Sequence, residues 1–139
     1  MAFIEWKNEY SVAVKKFNDD HMKLFSYIND LDRGLSSGLG ISEMSYILQG
    51  LVDYTILHFK NEEKLMKKYN YPDYDSHKQE HDELIEKVTD FFNDFKDGRK
   101  TFSIQLLIFL NDWITNHILK TDMKYKPFFK QIAAMQKEE

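Results

Sequence analysis

Only three short breaks interrupt this chain, and between them apolar residues recur at helical spacing. The breaks read "RGLSSGLG" (Arg33 to Gly40), "YNYPDYDS" (Tyr69 to Ser76) and "KDGRK" (Lys96 to Lys100). Gly and Pro punctuate helices and turns, and the chain has only 5 Gly and 2 Pro. The first segment carries His21, Leu24, Phe25, Ile28 and Leu31. The second carries Met44, Ile47, Leu48, Leu51, Thr55, His58, Phe59, Glu62 and Leu65. The third carries His77, His81, Leu84, Ile85, Val88, Phe91 and Phe95. The fourth carries Phe102, Leu106, Leu110, Trp113 and His117. Steps of three and four mark one face of a helix. Four such faces joined by short turns predict an all-α, up-down-up-down four-helix bundle. Helices are expected over about 18–34, 42–68, 75–96 and 101–121 of a single domain, 1–139. Residues 1–17 read as an extended arm. Asn18 is expected to cap the first helix, with Asp19 and Asp20 at its positive end. Pro127 marks a break after the fourth helix, followed by a short C-terminal helix over about 127–135.

Composition narrows the chemistry. There are no cysteines, which excludes disulfides, thiolate metal sites and iron–sulfur clusters. The net charge is −4 with basic residues scattered, which argues against nucleic acid and anionic membrane as partners. The opening "MAFIEWKNEY" lacks the pattern of a secretory signal, and the longest apolar run, "LLIFL" (Leu106 to Leu110), is far too short to span a bilayer. A cytoplasmic protein is the expectation.

All five histidines, His21, His58, His77, His81 and His117, lie on the apolar stripes of their helices. One such histidine is ordinarily a core residue with a satisfied hydrogen bond. The joint pattern is different. "HFKNE" sets His58 and Glu62 at i and i+4, and "HKQEH" does the same for His77 and His81. Such pairs stand side by side on a helix, with Cβ atoms ~5–6 Å apart. Glu62 points at the core, while its neighbour Glu63 points elsewhere and reads as a surface charge or a support for the site. Antiparallel helices bring residues to one height when these mirror each other about a turn. Mirrored about Ser37–Gly38, Tyr71 and Gly98, the histidines fall within about two helical turns of each other. Independent structural histidines have no reason to share a height, whereas ligands of one metal centre must. Asp122 follows His117 by five residues rather than four. On a straight α-helix that spacing leaves it off the shared face and reads as a solvated charge, unless the helix loosens near its end.

Five imidazoles with one or two carboxylates exceed what one tetrahedral zinc takes. They suit two six-coordinate first-row ions, and the nitrogen content disfavours Mg and Ca. The Glu-x-x-His pairs of ferritin-like di-iron proteins are absent: Asn18, Thr55, Tyr74, Lys78 and Ile114 stand three before the histidines. Two bidentate bridging carboxylates and one bridging oxygen would leave one position open, where a small molecule binds.

The pattern "H…HFKNE…HKQEH…HILKTD" resembles the ligand set of the hemerythrins. The whole chain resembles the single-domain bacteriohemerythrins, with "EWKNEYSVAV", "HFKNEEKLMKKYNYPDYDSHKQEH" and "NDWITNHILKTD" following family segments. The resemblance implies two non-haem iron ions bridged by an oxo or hydroxo group and by Glu62 and Asp122. His77, His81 and His117 would hold one iron, and His21 and His58 the iron that keeps the open position. The i+5 spacing of Asp122 matches the family's, so the resemblance makes it a ligand. It further implies an apolar O2 pocket of Phe59, Trp113, Ile114 and Ile118, whose alternative role is core packing, with Tyr125 approaching the site. Two departures stand out. Asn18 replaces a frequent Asp, which puts any supporting role of that residue in doubt, and Ile114 replaces a frequent Leu, which alters pocket shape.

Reversible O2 binding without catalysis, as carrier, store or local supplier, is the leading expectation. The alternatives are a sensor of O2, NO or redox state, an iron enzyme of peroxidase, ferroxidase or NO-reducing type, and a metal-free helical interaction module. A sensor often carries a fused output domain, for which 139 residues leave no room. Expected partners are O2 and, at the same open iron, NO or other small anions. A monomer or weak homo-oligomer is expected.

Overall fold

The computed structural model describes residues 4–12, 14–98 and 103–138, the last five (134–138) by backbone alone. Four helices form the bundle: α1 (Lys15–Ser37), α2 (Ile41–Lys68), α3 (Tyr74–Lys96) and α4 (Ile104–Asn116). A fifth, α5 (Lys126–Glu138), follows. Helix α2 packs against α1 and α3, and α1 packs against α4. No described helix is long and apolar enough to cross a membrane.

The turn between α1 and α2 depends on one glycine. Gly38 sits at φ 73°, a left-handed conformation that a Cβ would oppose. Leu39 can then donate its N–H to the Gly34 carbonyl at 2.9 Å, closing the helix end. At the start of α2 the Glu43 carboxylate accepts the Gly40 N–H at 2.8 Å.

Several helix ends differ from the sequence expectation, and α1 runs three residues past 34, to Ser37. Helix α1 begins at Lys15, three residues before Asn18, with Val14 at its N-cap and no side-chain cap. Asn18 works on the arm instead. Its Oδ1 accepts the Val12 N–H at 2.9 Å, and its Nδ2 donates to Ser11 Oγ at 3.1 Å. The arm holds a single 3-10 turn, Asn8–Tyr10.

At the other end, α4 starts after Ser103, whose Oγ accepts the Leu106 N–H at 3.3 Å. Phe102 and the first expected residue of that helix, 101, lie outside the described residues. No loop separates α4 from α5. The chain passes through a π-helical turn, His117–Thr121, and a 3-10 turn, Asp122–Tyr125. Pro127 is the second residue of α5 rather than the site of a break. Its fixed φ suits the first turn of a helix.

Two apolar clusters fill the interior. The larger includes Leu24, Ile28, Leu31, Leu48, Leu51, Phe59, Leu107 and Leu110. The smaller gathers Val12, Phe17, Met66, Tyr71, Tyr125 and Phe129, where the arm and α5 meet the bundle. The histidines form a polar layer between them. Phe59 stacks on His81 with centroids 3.7 Å apart, and Tyr125 stacks on His77 from the other cluster at 5.6 Å.

Candidate metal centre

Nine polar or charged side chains are buried among the described residues: Asp20, His21, Thr55, His58, Glu62, His77, His81, His117 and Asp122. Eight of them, all but Thr55, are ionisable. Burying so much titratable chemistry in an apolar bundle costs several kcal/mol per unpaired group. The layer persists only if its members meet one another or a cation.

Their arrangement is specific. Glu62, His77, His81, His117 and Asp122 form one group whose ligand-type atoms lie within 4.8 Å of one another. His21, His58, Glu62 and Asp122 form a second, so the two groups share both carboxylates. Asp122 Oδ1 lies 3.0 Å from His77 Nε2 and 2.9 Å from His117 Nε2, while its Oδ2 lies 3.1 Å from His21 Nε2. Glu62 Oε1 lies 3.2 Å from His81 Nε2, while its Oε2 lies 3.4 Å from His58 Nε2. Each carboxylate therefore turns one oxygen to each group.

The i+5 spacing of His117 and Asp122 has a local cause. The π-helical turn spans these residues, and the Asp122 N–H reaches back to the carbonyls of His117 and Ile118. A π-helical turn closes over five residues instead of four, which brings residues five apart onto one face. Asp122 is fully buried, where a straight helix would have turned it aside.

Carboxylates also fix the imidazoles from behind. His58 Nδ1 is 2.8 Å from Asp20, His81 Nδ1 is 2.8 Å from Glu63, and His117 Nδ1 is 2.8 Å from Glu80. A carboxylate accepts the Nδ1 proton, so in each neutral ring Nε2 carries a lone pair. His81 Nε2 and His117 Nε2 lie 3.2 Å apart, so these lone pairs would face each other. Only a proton or a cation between them relieves that opposition.

Asp20 and Glu80 have no role in the sequence reading beyond helix charge, yet they anchor two of the rings. The signal was available in part. Asp20 precedes His21, Glu80 precedes His81, and Glu63 follows Glu62. A residue next to an inward one sits about 100° around the helix, at the seam with a neighbouring helix. Asp20 also accepts from Tyr54 at 2.9 Å and from Lys16 at 3.0 Å, and Glu80 from Thr121 at 2.7 Å. Tyr125 donates its hydroxyl to Glu62 Oε2.

The charge balance calls for positive charge in the layer. Burial alone would lower the histidine pKa values, but the carboxylates overcome it. Glu62 and Asp20 hold His58 up at about 9, and Asp122 and Glu62 hold His77 at about 9. His117 is held at about 10, chiefly by Asp122 and then Glu80. Burial would raise Glu62, yet the surrounding imidazoles, His58 foremost, keep it well below the usual carboxylate range. Asp122 is lowered as well: burial and the neighbouring Glu62 charge push it up, and His117 and His21 outweigh them.

One observation tests whether a metal pair suits this set. His21 Nε2, His58 Nε2, His77 Nε2, Glu62 Oε1 and both carboxylate oxygens of Asp122 are buried and face one another at ion-pair distance, yet none of these contacts has the geometry of a hydrogen bond. So many orphaned groups in one layer violate the rule that buried polar atoms are paired. All are metal-ligand atoms directed at one place. An imidazole-rich set with bridging carboxylates fits a pair of first-row ions such as iron.

A small cavity adjoins the layer on its His21 side. Leu24, Phe59, Trp113, Ile114 and Ile118 line it together with the rings of His21, His58 and His117. Its volume of about 10 Å³ is near the least that takes one water-sized molecule. The four apolar residues singled out in the sequence all line it. Leu24, read there only as core, lines it too.

Comparison with known proteins decides the family. Residues 12–129 match the model of the hemerythrin HHE cation binding domain. The chain belongs to the hemerythrin family. All seven clustered histidines and carboxylates, from His21 to Asp122, fall inside the match to that hemerythrin domain. The bacteriohemerythrin of Methylococcus capsulatus (strain ATCC 33009 / NCIMB 11132 / Bath) is 35% identical over 128 residues, covering 91% of this chain and 97% of that protein. A hemerythrin-like protein of Naegleria gruberi is 36% identical over 121 residues, covering 87% and 89%. The myohemerythrin of Theromyzon tessulatum is 34% identical over 122 residues, covering 88% and 90%. A crystal structure of wild-type hemerythrin superposes with a TM-score of 0.86 at 35% identity, covering 91% of this chain and 97% of that one.

Proposed function

We propose that this chain binds O2 reversibly at a pair of non-haem iron ions. The observation that carries the reading is the sharing of Glu62 and Asp122 between a three-histidine and a two-histidine group, one oxygen to each. His77, His81 and His117 would hold one ion and His21 and His58 the other, and Glu62 and Asp122 would serve both. The unequal histidine count would leave a free position on the His21/His58 ion, and the apolar cavity touches both of those rings as well as His117. A ferrous pair supplies the two electrons and the open coordination position that reversible O2 capture requires.

The rest is the work of the protein's own side chains. Asp20, Glu63 and Glu80 hold protons on Nδ1 and so direct Nε2 inward, fixing ring orientation before any ion arrives. The Tyr125 hydroxyl restrains Glu62. Leu24, Phe59, Trp113, Ile114 and Ile118 keep the cavity small and dry. Exclusion of water and its protons favours release of O2 unchanged over its loss as a reduced product. No side chain lining that cavity offers an acid or nucleophile beyond the ligand histidines, which favours carriage over catalysis.

The ligand assignment is tested by a neighbouring pair of variants. His77→Ala should lower iron content after desalting to about one ion per chain or less, because a ligand is lost. Lys78→Ala should retain two, since Lys78 only pairs with Asp82 on the surface. Equal iron retention by both would overturn the assignment.

A further inference from the structure

The candidate centre has a second approach, chemically opposite to the apolar cavity. A cleft of about 110 Å³ opens beside His77, between the start of α3 and the π-helical and 3-10 turns. Its lining is polar: Asp73, Ser76, Glu80, Thr121 and Lys124 surround the rings of His77 and Tyr71. Asp73, Ser76 and Lys124 are exposed and form its rim, while His77 is only 3% exposed and forms its floor. Among the described residues no side chain holds Nδ1 of His77, in contrast to His58, His81 and His117. Its ring thus joins the cleft on one edge to the carboxylates of the centre on the other, with Nε2 3.0 Å from Asp122.

We propose that this cleft is the port through which ferrous ions reach the centre, an inference that rests on the di-iron reading above. A hydrated divalent cation carries a tightly held water shell, and stripping it in an apolar channel is prohibitive. The cavity against His21 and His58 offers about 10 Å³ and a largely apolar wall, so it admits a small neutral molecule and rejects a hydrated ion. The cleft has room for several waters, and the exposed Asp73 carboxylate on its rim offers a cation its first contact, while Glu80, deeper in, is held by His117 and Thr121. The hydroxyls of Ser76 and Thr121 replace shed waters in steps. The two small species that this centre needs would then arrive from different sides, cations through the polar cleft and O2 through the dry cavity.

Loading kinetics test the port separately from the site. Iron-free protein is mixed with Fe2+ without oxygen, quenched with a chelator at set times, desalted and assayed for iron. Asp73→Lys reverses the rim charge and should slow loading roughly tenfold, the scale of electrostatic steering. Lys124→Glu should speed it, and Ser76→Phe should slow it by narrowing the rim. Asp53→Lys, the same charge change on the exposed face of α2, should load at the wild-type rate. All four should finish with the same iron content as the unaltered protein. Loading of Asp73→Lys and Ser76→Phe at the wild-type rate would overturn the port. So would slowing by Asp53→Lys equal to that by Asp73→Lys, which would reflect net charge alone. Unaltered protein that takes up no iron at any time would instead overturn the di-iron reading.

Discussion

Glu62→Gln is expected to remove at least one of the two irons, whereas Glu63→Gln keeps both. The two residues are adjacent and chemically identical, so the contrast isolates position. Glu62 is fully buried, and its two oxygens face different histidine groups. An amide there keeps one oxygen but loses the charge and presents an NH2 to the other group, which repels a cation. Among the described residues Glu63 touches the centre through His81 Nδ1, at 2.8 Å. Its substitution weakens the orientation of one ring, a change worth roughly 10–100-fold in metal affinity. That loss leaves a loaded site but speeds iron release to a chelator. Iron assay after desalting, followed by chelator challenge, reads both effects. Equal iron retention by the two variants would contradict the bridging role.

Removal of iron is expected to lower the melting temperature by about 10–15 °C. Binding that saturates a site about 1,000-fold above its dissociation constant stabilises by about 4 kcal/mol, and 1 kcal/mol moves the melting temperature of a chain this size by roughly 2–4 °C. The structural origin is the set of buried candidate ligand atoms that the protein alone leaves without a hydrogen bond. The iron-free protein should also respond to pH in a definite direction. His58 and His77 are held at about 9 and His117 at about 10 in the fold, against an ordinary value of 6.5. These groups bind protons more tightly folded than unfolded. Their contribution is fully present below about pH 6.5 and is lost as pH rises through 9 to 10. Calorimetry of the iron-free protein should therefore show the melting temperature falling from pH 7 to pH 10. The loaded protein should behave differently at low pH, where protons compete with metal for the same nitrogens. A melting temperature of the iron-free form that rises over that alkaline range would contradict the charge balance.

Much of this was legible in the sequence because the periodicity and the chemistry coincide. The stripe through Leu51, Thr55, His58, Phe59 and Glu62 places candidate ligands and core on the same helical face, and all five are buried. Mirroring about the turns placed the histidines at one height, and their atoms meet there. What escaped were features that linear spacing does not encode. The π-helical turn that brings Asp122 to His117 is a local change of helix type, and an i+5 interval alone reads as a mismatch. With a helix start at Asn18, as the sequence suggests, Asp20 reads as a helix-end charge. With the start at Lys15, Asp20 lies a full turn inside and faces His58 across the α1–α2 seam. Glu80 was hidden for a related reason: its partner, His117, belongs to a helix distant in sequence.

The central claim is reversible O2 binding at two irons, and one measurement meets it directly. The purified protein is reduced without oxygen, assayed for iron, and then cycled between O2 and inert gas while its visible spectrum is followed. The account predicts two irons per chain and a coloured form that appears with O2 and disappears on its removal over repeated cycles. Absence of iron, or a single irreversible oxidation on first contact with O2, would contradict it.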